Sequence, residues 1–403
     1  MASKRYVHLG AIGLGLAVGL GLLSIEPAKS EKRLAAPAFQ VDPFWPKPLP
    51  DNWVTGEVGG TCIDSQDHVF IVTRGFQTGG LVSPEGVAGQ PAKSKASPPV
   101  IEFDPDGSVV NAWGDASIVQ TGPNAGKNAV LPNGIHGCFV DFEDNVWIGG
   151  NGDGVVQKYS HDGHLLLQIG TKFVCDTPTS ACTNVMATGS SHSLLNLPAD
   201  IAVDPSNGDV YIADGYGNHR VVVFDKNGTF LRQMGGVGTG AGQFTAGDGG
   251  HPHCVVLGKN GLVYACDRGN DRINVFQKDG TFVRAIPVIP GTAALGVAGS
   301  AWDVDFSPDR KQTFMYESDG GNEVMWIFNH GAALAGLPNA ILSGFGRPGH
   351  MAGEFTFLHM MAIDSKGNMY VGETIGGRRV QKFTLKNCDN DDGRSHGNGN
   401  CDD

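Results

Sequence analysis

The sequence has no excess of basic residues and no stretch with the spacing of an amphipathic helix. Among 403 residues, Lys and Arg number 29 and Asp and Glu number 41, which gives a net charge of −12. A nucleic-acid-binding protein of this size would normally show a basic face, so binding to nucleic acid is not expected. The chain instead contains 60 glycines, as expected of a protein built from strands and tight turns.

Six copies of a strand–turn–strand pattern follow one another along the chain. Each copy has a short apolar strand, a turn, and a second strand rich in Val, Tyr and Trp, and most copies continue into a third strand. Pairs such as Asn207-Gly208 and Asn260-Gly261 supply the chemistry of tight hairpin turns. The copies begin at Val58, Asn133, Leu197, His251, Ala301 and Phe357.

Strand-only repeats of this length predict an all-β, six-bladed β-propeller in which each blade is a four-stranded antiparallel sheet. The last repeat ends at residues 380–386, before a polar tail. We expect its missing strand to come from around residues 41–54, which would close the ring and remove two exposed sheet edges. The predicted segments are 1–38 for targeting, 39–57 for closure, 58–386 for the propeller and 387–403 for an acidic, glycine-rich tail.

The N-terminal segment has the pattern of a secretory signal. Lys4 and Arg5 precede an uncharged, Gly/Leu-rich stretch at residues 7–25, and small residues follow. The stretch is long for a signal core, so an uncleaved membrane anchor stays open as the alternative. The segment predicts a secreted or periplasmic protein.

Eight cysteines fit an oxidising compartment. Proximity in sequence predicts two disulfides, and a third pair lies on neighbouring strands of one repeat. These pairs are Cys175–Cys182, Cys388–Cys401 and Cys254–Cys266. Cys62 and Cys138 lie on the first strands of adjacent repeats, and the sequence leaves a disulfide and simple burial equally open.

Three histidines occupy the same position in alternate repeats. They are His136, His253 and His359, and the intervening repeats have Gly59, Ala199 and Trp302 there. Repeats arranged in a ring would bring the three imidazoles together at its axis. Three neutral imidazoles with an open fourth position form a catalytic zinc site. The alternative is that each histidine is bonded independently to backbone or water. His251 is two residues out of phase, and we expect it at the channel mouth.

Polar residues at the ends of the second strands form another candidate set. Arg74 and Arg268 align with each other and could hold a substrate carboxylate with bidentate geometry. The alternative is a salt bridge to a neighbouring acid, such as Asp267 for Arg268. Tyr216 near an arginine could act as a base, because positive charge stabilises a phenolate. The alternative for Tyr216 is an ordinary loop residue that covers the channel.

Acidic residues recur at one position of the repeats, at Asp214, Asp267 and Glu373. Such recurrence favours a structural role over catalysis. We expect these carboxylates to bind turn amides or the arginines of the next blade, which are Arg220, Arg272 and Arg379.

Several segments together resemble a known family, the peptidyl-α-hydroxyglycine α-amidating lyases, which are NHL-repeat six-bladed propellers. The segments are HGCFVD, DGYGNHRVVVF, PHCVVL with DRGNDRINVF, and LHMMAID with VQKFTL. The resemblance covers most of residues 58–385. The short strand motifs are generic to NHL repeats, whereas the phased histidines with one tyrosine and two arginines are specific.

The resemblance implies that His136, His253 and His359 bind zinc and that Tyr216, Arg74 and Arg268 are catalytic. It implies cleavage of the C–N bond of a peptidyl-α-hydroxyglycine to an amidated peptide and glyoxylate. Zinc would lower the pKa of the substrate hydroxyl, Tyr216 would take its proton, and an arginine would hold the carboxylate. No redox cofactor is needed for this step.

The sequence also departs from the family. An acidic residue after the last histidine contributes to a structural calcium in the family, and Met360 stands there instead, so this sequence does not support that calcium. Gly217 replaces a cysteine beside the tyrosine. A Gly/Pro/Ser/Lys-rich insertion at residues 79–97 could form a lid or a flexible loop. No copper-hydroxylase domain is present, so a separate protein would have to supply a hydroxylated peptide.

Two other functions stay open from the sequence alone. One is a non-catalytic propeller whose loop face binds a protein or a glycan. The other is a zinc enzyme acting on a hydroxylated or carboxylated small molecule that is not a peptide. Arg74 and Tyr216 in the same set as the histidines favour an enzyme over a scaffold.

Overall fold

A computed structural model describes residues 1, 34–75, 77, 81, 93–114, 130–184, 189–246, 249–292 and 299–386. The described residues from Leu34 onward belong to one compact unit. They form six four-stranded antiparallel sheets, and each sheet is a blade of a propeller. The inner strand of each blade contacts the preceding blade around the ring, and the inner strands of blades 6 and 1 also contact each other. The predicted six-bladed, all-β fold is therefore confirmed.

The strands take equivalent places in every blade. The inner strands are Val58–Ile63, Ile135–Val140, Asp200–Val203, Val255–Leu257, Asp303–Phe306 and Leu358–Ile363. The second strands are Val69–Thr73, Val146–Gly150, Val210–Asp214, Leu262–Asp267, Phe314–Asp319 and Met369–Glu373. The third strands are Val100–Phe103, Val155–Tyr159, Arg220–Phe224, Arg272–Gln277, Val324–Asn329 and Arg379–Leu385. The outer strands are Val109–Trp113, Leu165–Gly170, Phe230–Gly235, Phe282–Pro287, Ile341–Phe345 and, in blade 6, Phe39–Asp42.

The ring is closed by a strand that precedes blade 1. Phe39–Asp42 pairs antiparallel with Arg379–Leu385 and completes blade 6, so closure by an N-terminal segment is confirmed. The closing strand lies at the start of the predicted closure segment 39–57 and begins two residues before residues 41–54, around which we expected it. Trp53–Val54 instead pairs in parallel with Lys95–Ala96, at the end of the 79–97 insertion. The rest of that insertion lies mostly outside the described residues.

Helices are few and short in the described ranges. They are the 3₁₀ turns Pro50–Asn52 and Arg268–Asn270 and the α-helix His330–Ala335. None of the described helices is long and apolar enough to cross a membrane.

The core lies between the blades, because neighbouring sheets pack face to face. The second strands are therefore buried along almost their whole length, as in Val69–Thr73 and Val210–Asp214. Outer strands such as Leu165–Gly170 alternate toward solvent. Each fully buried Val, Ile or Phe contributes on the order of 1.5–3 kcal/mol, which holds the ring together without helices.

Three disulfides link described cysteines. Cys62–Cys138 joins the inner strands of blades 1 and 2 and settles the question that the sequence left open. Cys254–Cys266 lies within blade 4, and Cys175–Cys182 closes a loop after blade 2. The predicted Cys388–Cys401 pair lies outside the described residues.

Candidate metal centre

The three phased histidines lie at or just before the start of the inner strands of blades 2, 4 and 6. The register shifts between Ile135 and Cys138 in blade 2 and between Leu358 and Met361 in blade 6, so His136 and His359 sit in bulges. Bulges next to functional sites re-aim a side chain out of the regular pleat. His253 lies just before its inner strand, where its backbone N–H donates to the Cys266 carbonyl at 2.8 Å.

The structure brings the three imidazoles together. One ring nitrogen from each of His136, His253 and His359 lies within 4.8 Å of the others, and all three side chains are buried. The ring centres are 4.5–5.0 Å apart. Among the described residues, Nε2 of His253 and Nδ1 of His359 have no hydrogen-bond partner. Buried nitrogens without partners are costly unless a ligand satisfies them.

The odd-numbered blades orient the histidines. Nδ1 of His136 lies 2.8 Å from the carbonyl oxygen of Ala199, and Nδ1 of His253 lies 2.7 Å from that of Trp302. Since a carbonyl only accepts, both Nδ1 atoms carry the hydrogen and both Nε2 atoms have a lone pair. That of His253 has no donor among the described residues, whereas Nε2 of His136 lies within hydrogen-bond distance of the Tyr216 hydroxyl. The third histidine, His359, forms a hydrogen bond with the backbone of Gly59.

Sequence reasoning placed Gly59, Ala199 and Trp302 at the histidine position of their repeats and gave them no role. The structure shows that each supplies the backbone acceptor for the preceding histidine around the ring. The signal was therefore present in the repeat phase. Gly137 permits the close approach of blades 2 and 3, because a Cβ there would lie 2.6 Å from the Ala199 oxygen.

The imidazoles are held in the neutral form. Burial lowers the pKa of His136, His253 and His359 well below the usual value of 6.5. The positive charge of Arg268 lowers all three pKa values further, and Arg74 adds to the effect on His136 and His359. Neutral imidazole is the form that binds a metal ion.

Tyr216 lies directly beside the histidines. Its hydroxyl oxygen is 3.1 Å from Nε2 of His136 and accepts a hydrogen bond from Nη2 of Arg268 at 3.3 Å. Gly215 allows the chain to reach this point, because a Cβ there would meet the Pro252 carbonyl oxygen at 1.8 Å.

Arg268 is a buried cation, and burial lowers its pKa. Its guanidinium carbon lies 4.4 Å from the centre of the Trp302 ring, and its Nε has no hydrogen-bond partner among the described residues. The alternative of a salt bridge to Asp267 is wrong. The Asp267 carboxylate instead accepts from Nε of Arg272 at 2.9 Å and from the backbone of Thr245.

Arg74 is engaged with the protein to a greater extent than Arg268. Its Nε donates to the Ile135 carbonyl at 2.6 Å, and its Nη1 donates to Glu57 at 3.0 Å and to Thr374 at 3.4 Å. The two aligned arginines therefore differ, since Arg74 has the acidic partner that Arg268 lacks.

The recurring acids are structural, as expected. In three blades the carboxylate accepts one hydrogen bond from a backbone N–H and one from the Nε of an arginine. The sets are Asp214 with Asn196 and Arg220, Asp267 with Thr245 and Arg272, and Glu373 with Thr356 and Arg379. One detail of the expectation is wrong. Each arginine belongs to the same blade as its acid, because the second and third strands pair directly across, as in Asp214 opposite Arg220.

His251 is buried and lies outside the group of three. Its Nδ1 accepts from the Gly269 backbone at 3.2 Å.

Further along the inner strands the channel contains a cavity of about 300 Å³. Its lining includes Asp200, Asp303 and Met360, and the side chain of Met360 has no oxygen that could bind a calcium ion.

Comparison with known proteins agrees with this architecture. The NHL repeat family matches residues 195–224, which span the inner three strands of blade 3. NHL repeat-containing protein 3 of Mus musculus is 27% identical, over 87% of this chain and 85% of that protein. Peptidylglycine alpha-amidating monooxygenase of Rattus norvegicus is 31% identical over 82% of this chain, but the match spans only 30% of that protein.

A relative named as a lyase also matches. Peptidyl-alpha-hydroxyglycine alpha-amidating lyase 1 of Drosophila melanogaster is 26% identical over 62% of this chain and 44% of that protein. These identities are low, so they indicate distant common ancestry. The chain is thus a six-bladed β-propeller with an NHL repeat at residues 195–224, and it has distant similarity to NHL repeat-containing protein 3 and to proteins named as peptidyl-α-hydroxyglycine α-amidating lyases.

Proposed function

We propose that this protein is a secreted or periplasmic zinc-dependent lyase that cleaves the C–N bond of an α-hydroxyglycine-type substrate to an amide and glyoxylate. The observation that carries the proposal is the convergence of three buried, neutral histidines beside Tyr216 and Arg268. The distant likeness to a protein named as such a lyase supports the reaction class. The three disulfides support an oxidising compartment.

The donor set fits zinc. Imidazole nitrogen is a preferred zinc ligand, and catalytic zinc sites use three protein ligands with a fourth position left for water or substrate. His136, His253 and His359 supply three nitrogens, and no cysteine or carboxylate belongs to this group. When bound, zinc would supply Lewis acidity and lower the pKa of a hydroxyl that coordinates it.

Arg268 is the residue best suited to hold the substrate carboxylate. Its guanidinium is buried, has an Nε without a hydrogen-bond partner and has no ion pair among the described residues. A guanidinium can bind a carboxylate through two parallel hydrogen bonds. Arg74 has its charge offset by Glu57, and we assign it the role of fixing the backbone at Ile135, next to His136.

Tyr216 is the proposed proton carrier. The hydrogen bond from Arg268 stabilises negative charge on the Tyr216 oxygen, which then takes the proton of the substrate hydroxyl. The electron pair of that O–H bond becomes the second bond of the glyoxylate carbonyl, and the C–N bond breaks. The electron pair of the C–N bond goes to the amide nitrogen, which receives the proton back from Tyr216.

The substrate class carries a consequence for partners. The reaction consumes a glycine that is hydroxylated at its α-carbon. A hydroxylase that forms this group is therefore part of the proposal if the substrate is a peptide.

The test is glyoxylate release from an α-hydroxyglycine-terminated peptide by zinc-loaded protein, with Tyr216→Phe alongside. Loss of the proton carrier should lower kcat by about 10²–10⁴-fold and leave the metal content unchanged. Tyr211→Phe is the matched control, because the Tyr211 hydroxyl bonds Arg232 instead of the histidine group. Wild-type turnover in Tyr216→Phe would refute its role, and no glyoxylate from zinc-loaded wild type would refute the reaction.

A further inference from the structure

A second cluster of metal-binding side chains lies where blades 1 and 2 meet, away from the three histidines. Asp64 directly follows the inner strand of blade 1, and His68 directly precedes the second strand. Glu102 belongs to the third strand of blade 1, and His161 lies in the last turn of blade 2. The four side chains therefore meet at one point, although they come from a turn of blade 1, from its third strand and from the last turn of blade 2.

The distances are short enough for a shared ion. One ligand atom from each of Asp64, His68 and Glu102 lies within 4.8 Å of the others. Nδ1 of His68 is 2.7 Å from Oε1 of Glu102 and 3.8 Å from Oδ2 of Asp64. Nε2 of His161 is 3.1 Å from Oε2 of Glu102.

An unpartnered oxygen faces this cluster. The side chain of Asp64 has no exposed surface, and its Oδ1 accepts from the backbone N–H groups of Gln66 and His68, both at 2.8 Å. Its Oδ2 has no hydrogen-bond partner among the described residues. A buried carboxylate oxygen without a donor is unfavourable unless a cation neutralises it.

The same aspartate in other blades shows what is missing here. Asp141, Asp204 and Asp364 follow their inner strands at the equivalent position, and each caps its turn in the same way. Their second oxygen always has a donor, which is Trp147 with Lys158 for Asp141, Lys278 for Asp204, and Asn368 with Tyr370 for Asp364. Blade 1 has His68 and Glu102 in place of such donors.

We propose that Asp64, His68 and Glu102 form a second metal site, which takes a first-row divalent cation such as Zn²⁺. One imidazole nitrogen and two carboxylate oxygens match the ligand preferences of zinc. His161 is a positioning residue that holds Glu102 through its other oxygen. His68 and His161 are partly exposed, so an ion can enter from solvent. The ion fixes two hairpins of blade 1 and, through His161, links them to blade 2.

Metal content separates this site from the central one. Zinc-loaded wild-type protein, washed by gel filtration, should hold about two zinc ions per chain by plasma mass spectrometry, because each site provides three ligands. His68→Ala should lose one ion and keep lyase activity, whereas His253→Ala should lose the other ion and lose activity. His164→Ala is the matched control, since His164 is an exposed histidine on the same turn as His161.

Each other outcome decides one proposal. One zinc that is lost in His253→Ala and kept in His68→Ala overturns the second site and leaves the central one intact. One zinc that is lost in His68→Ala and kept in His253→Ala supports the second site and refutes the central zinc. Two zinc ions in His68→Ala also overturn the second site.

Two milder variants guard against a folding defect. In a His253→Ala background the central site is lost, so zinc should raise Tm through the second site. Glu102→Gln keeps the shape of the side chain and should abolish that zinc-induced rise in Tm. His161→Ala should weaken zinc affinity about 10–100-fold without abolishing it. When Co²⁺ replaces zinc, the visible absorption band of the ion at the second site should persist at a shifted wavelength in His161→Ala. The same band should be absent in Glu102→Gln. An unchanged zinc-induced Tm rise in Glu102→Gln would contradict the proposal.

Discussion

The guanidinium carbon of Arg268 lies 4.4 Å from the centre of the Trp302 ring, and the carbonyl oxygen of the same Trp302 accepts from Nδ1 of His253 at 2.7 Å. One residue therefore contacts the candidate anion-binding group through its side chain and a candidate metal ligand through its backbone. The ring faces a buried cation, where a cation–π contact is strongest because water is excluded.

Trp302→Leu should weaken substrate binding more than it slows the chemical step. The lost cation–π contact is worth about 0.5–2 kcal/mol, which corresponds to a rise in KM of about 2–30-fold, with a smaller change in kcat. Steady-state kinetics on a carboxylate-bearing substrate measures both constants. Zinc content should stay at the wild-type value because the backbone carbonyl remains, and an unchanged KM would contradict the contact's role.

The two arginines should respond differently to the same substitution. Arg268→Lys removes the forked guanidinium that can bind a carboxylate in bidentate fashion, so KM should rise about tenfold or more. Arg74→Lys should change KM less, because Arg74 is paired with Glu57. Kinetics of the two variants side by side makes the comparison. A larger KM effect in Arg74→Lys would reverse the assignment of the carboxylate anchor.

The stability of the propeller should fall as the pH rises from about 4 to 7. Burial raises the pKa of Asp200 to about 7, whereas the unfolded chain titrates near 3.9. The stability from protonated Asp200 is thus fully present below pH 4 and is lost as the pH passes 7. Asp200→Asn should flatten this dependence by up to a few kcal/mol, measured by urea unfolding at several pH values. Asp106→Asn, at an exposed position, is the control, and an equal slope in both variants would contradict the prediction.

The Cys62–Cys138 disulfide should contribute more stability than the Cys175–Cys182 disulfide. The first closes a separation of 76 residues and the second one of 7. The chain-entropy model gives about 4.5 and about 2.4 kcal/mol, respectively. Denaturant unfolding of the two double Cys→Ser variants measures the difference, and equal losses would show that loop length is not the deciding factor.

The repeat phase predicted much of the fold and the meeting of the histidines, because one strand position recurs in every blade. It did not predict the partner of Arg268. Asp267 and Arg268 are adjacent in sequence, but the strand ends at Asp267 and a 3₁₀ turn begins at Arg268. Asp267 lies opposite Arg272 on the neighbouring strand and pairs with it.

Contacts between distant segments were also beyond the sequence. Glu57 meets Arg74, and Cys62 meets Cys138, only after two strands or two blades are in register. The closing strand was expected near residues 41–54 and was found at Phe39–Asp42. A strand of four residues has too little pattern to fix its own position, and its partner Arg379–Leu385 sets the register.

The alternation of histidine and backbone acceptor spreads the central site over all six blades. His136, His253 and His359 come from the even-numbered blades, and Ala199, Trp302 and Gly59 from the odd-numbered ones. Loss of any one blade would therefore remove either a candidate ligand or the group that orients it. The proposed metal binding would require the whole ring to be assembled, so a newly made chain would gain the proposed activity only after Phe39–Asp42 has paired with the last blade.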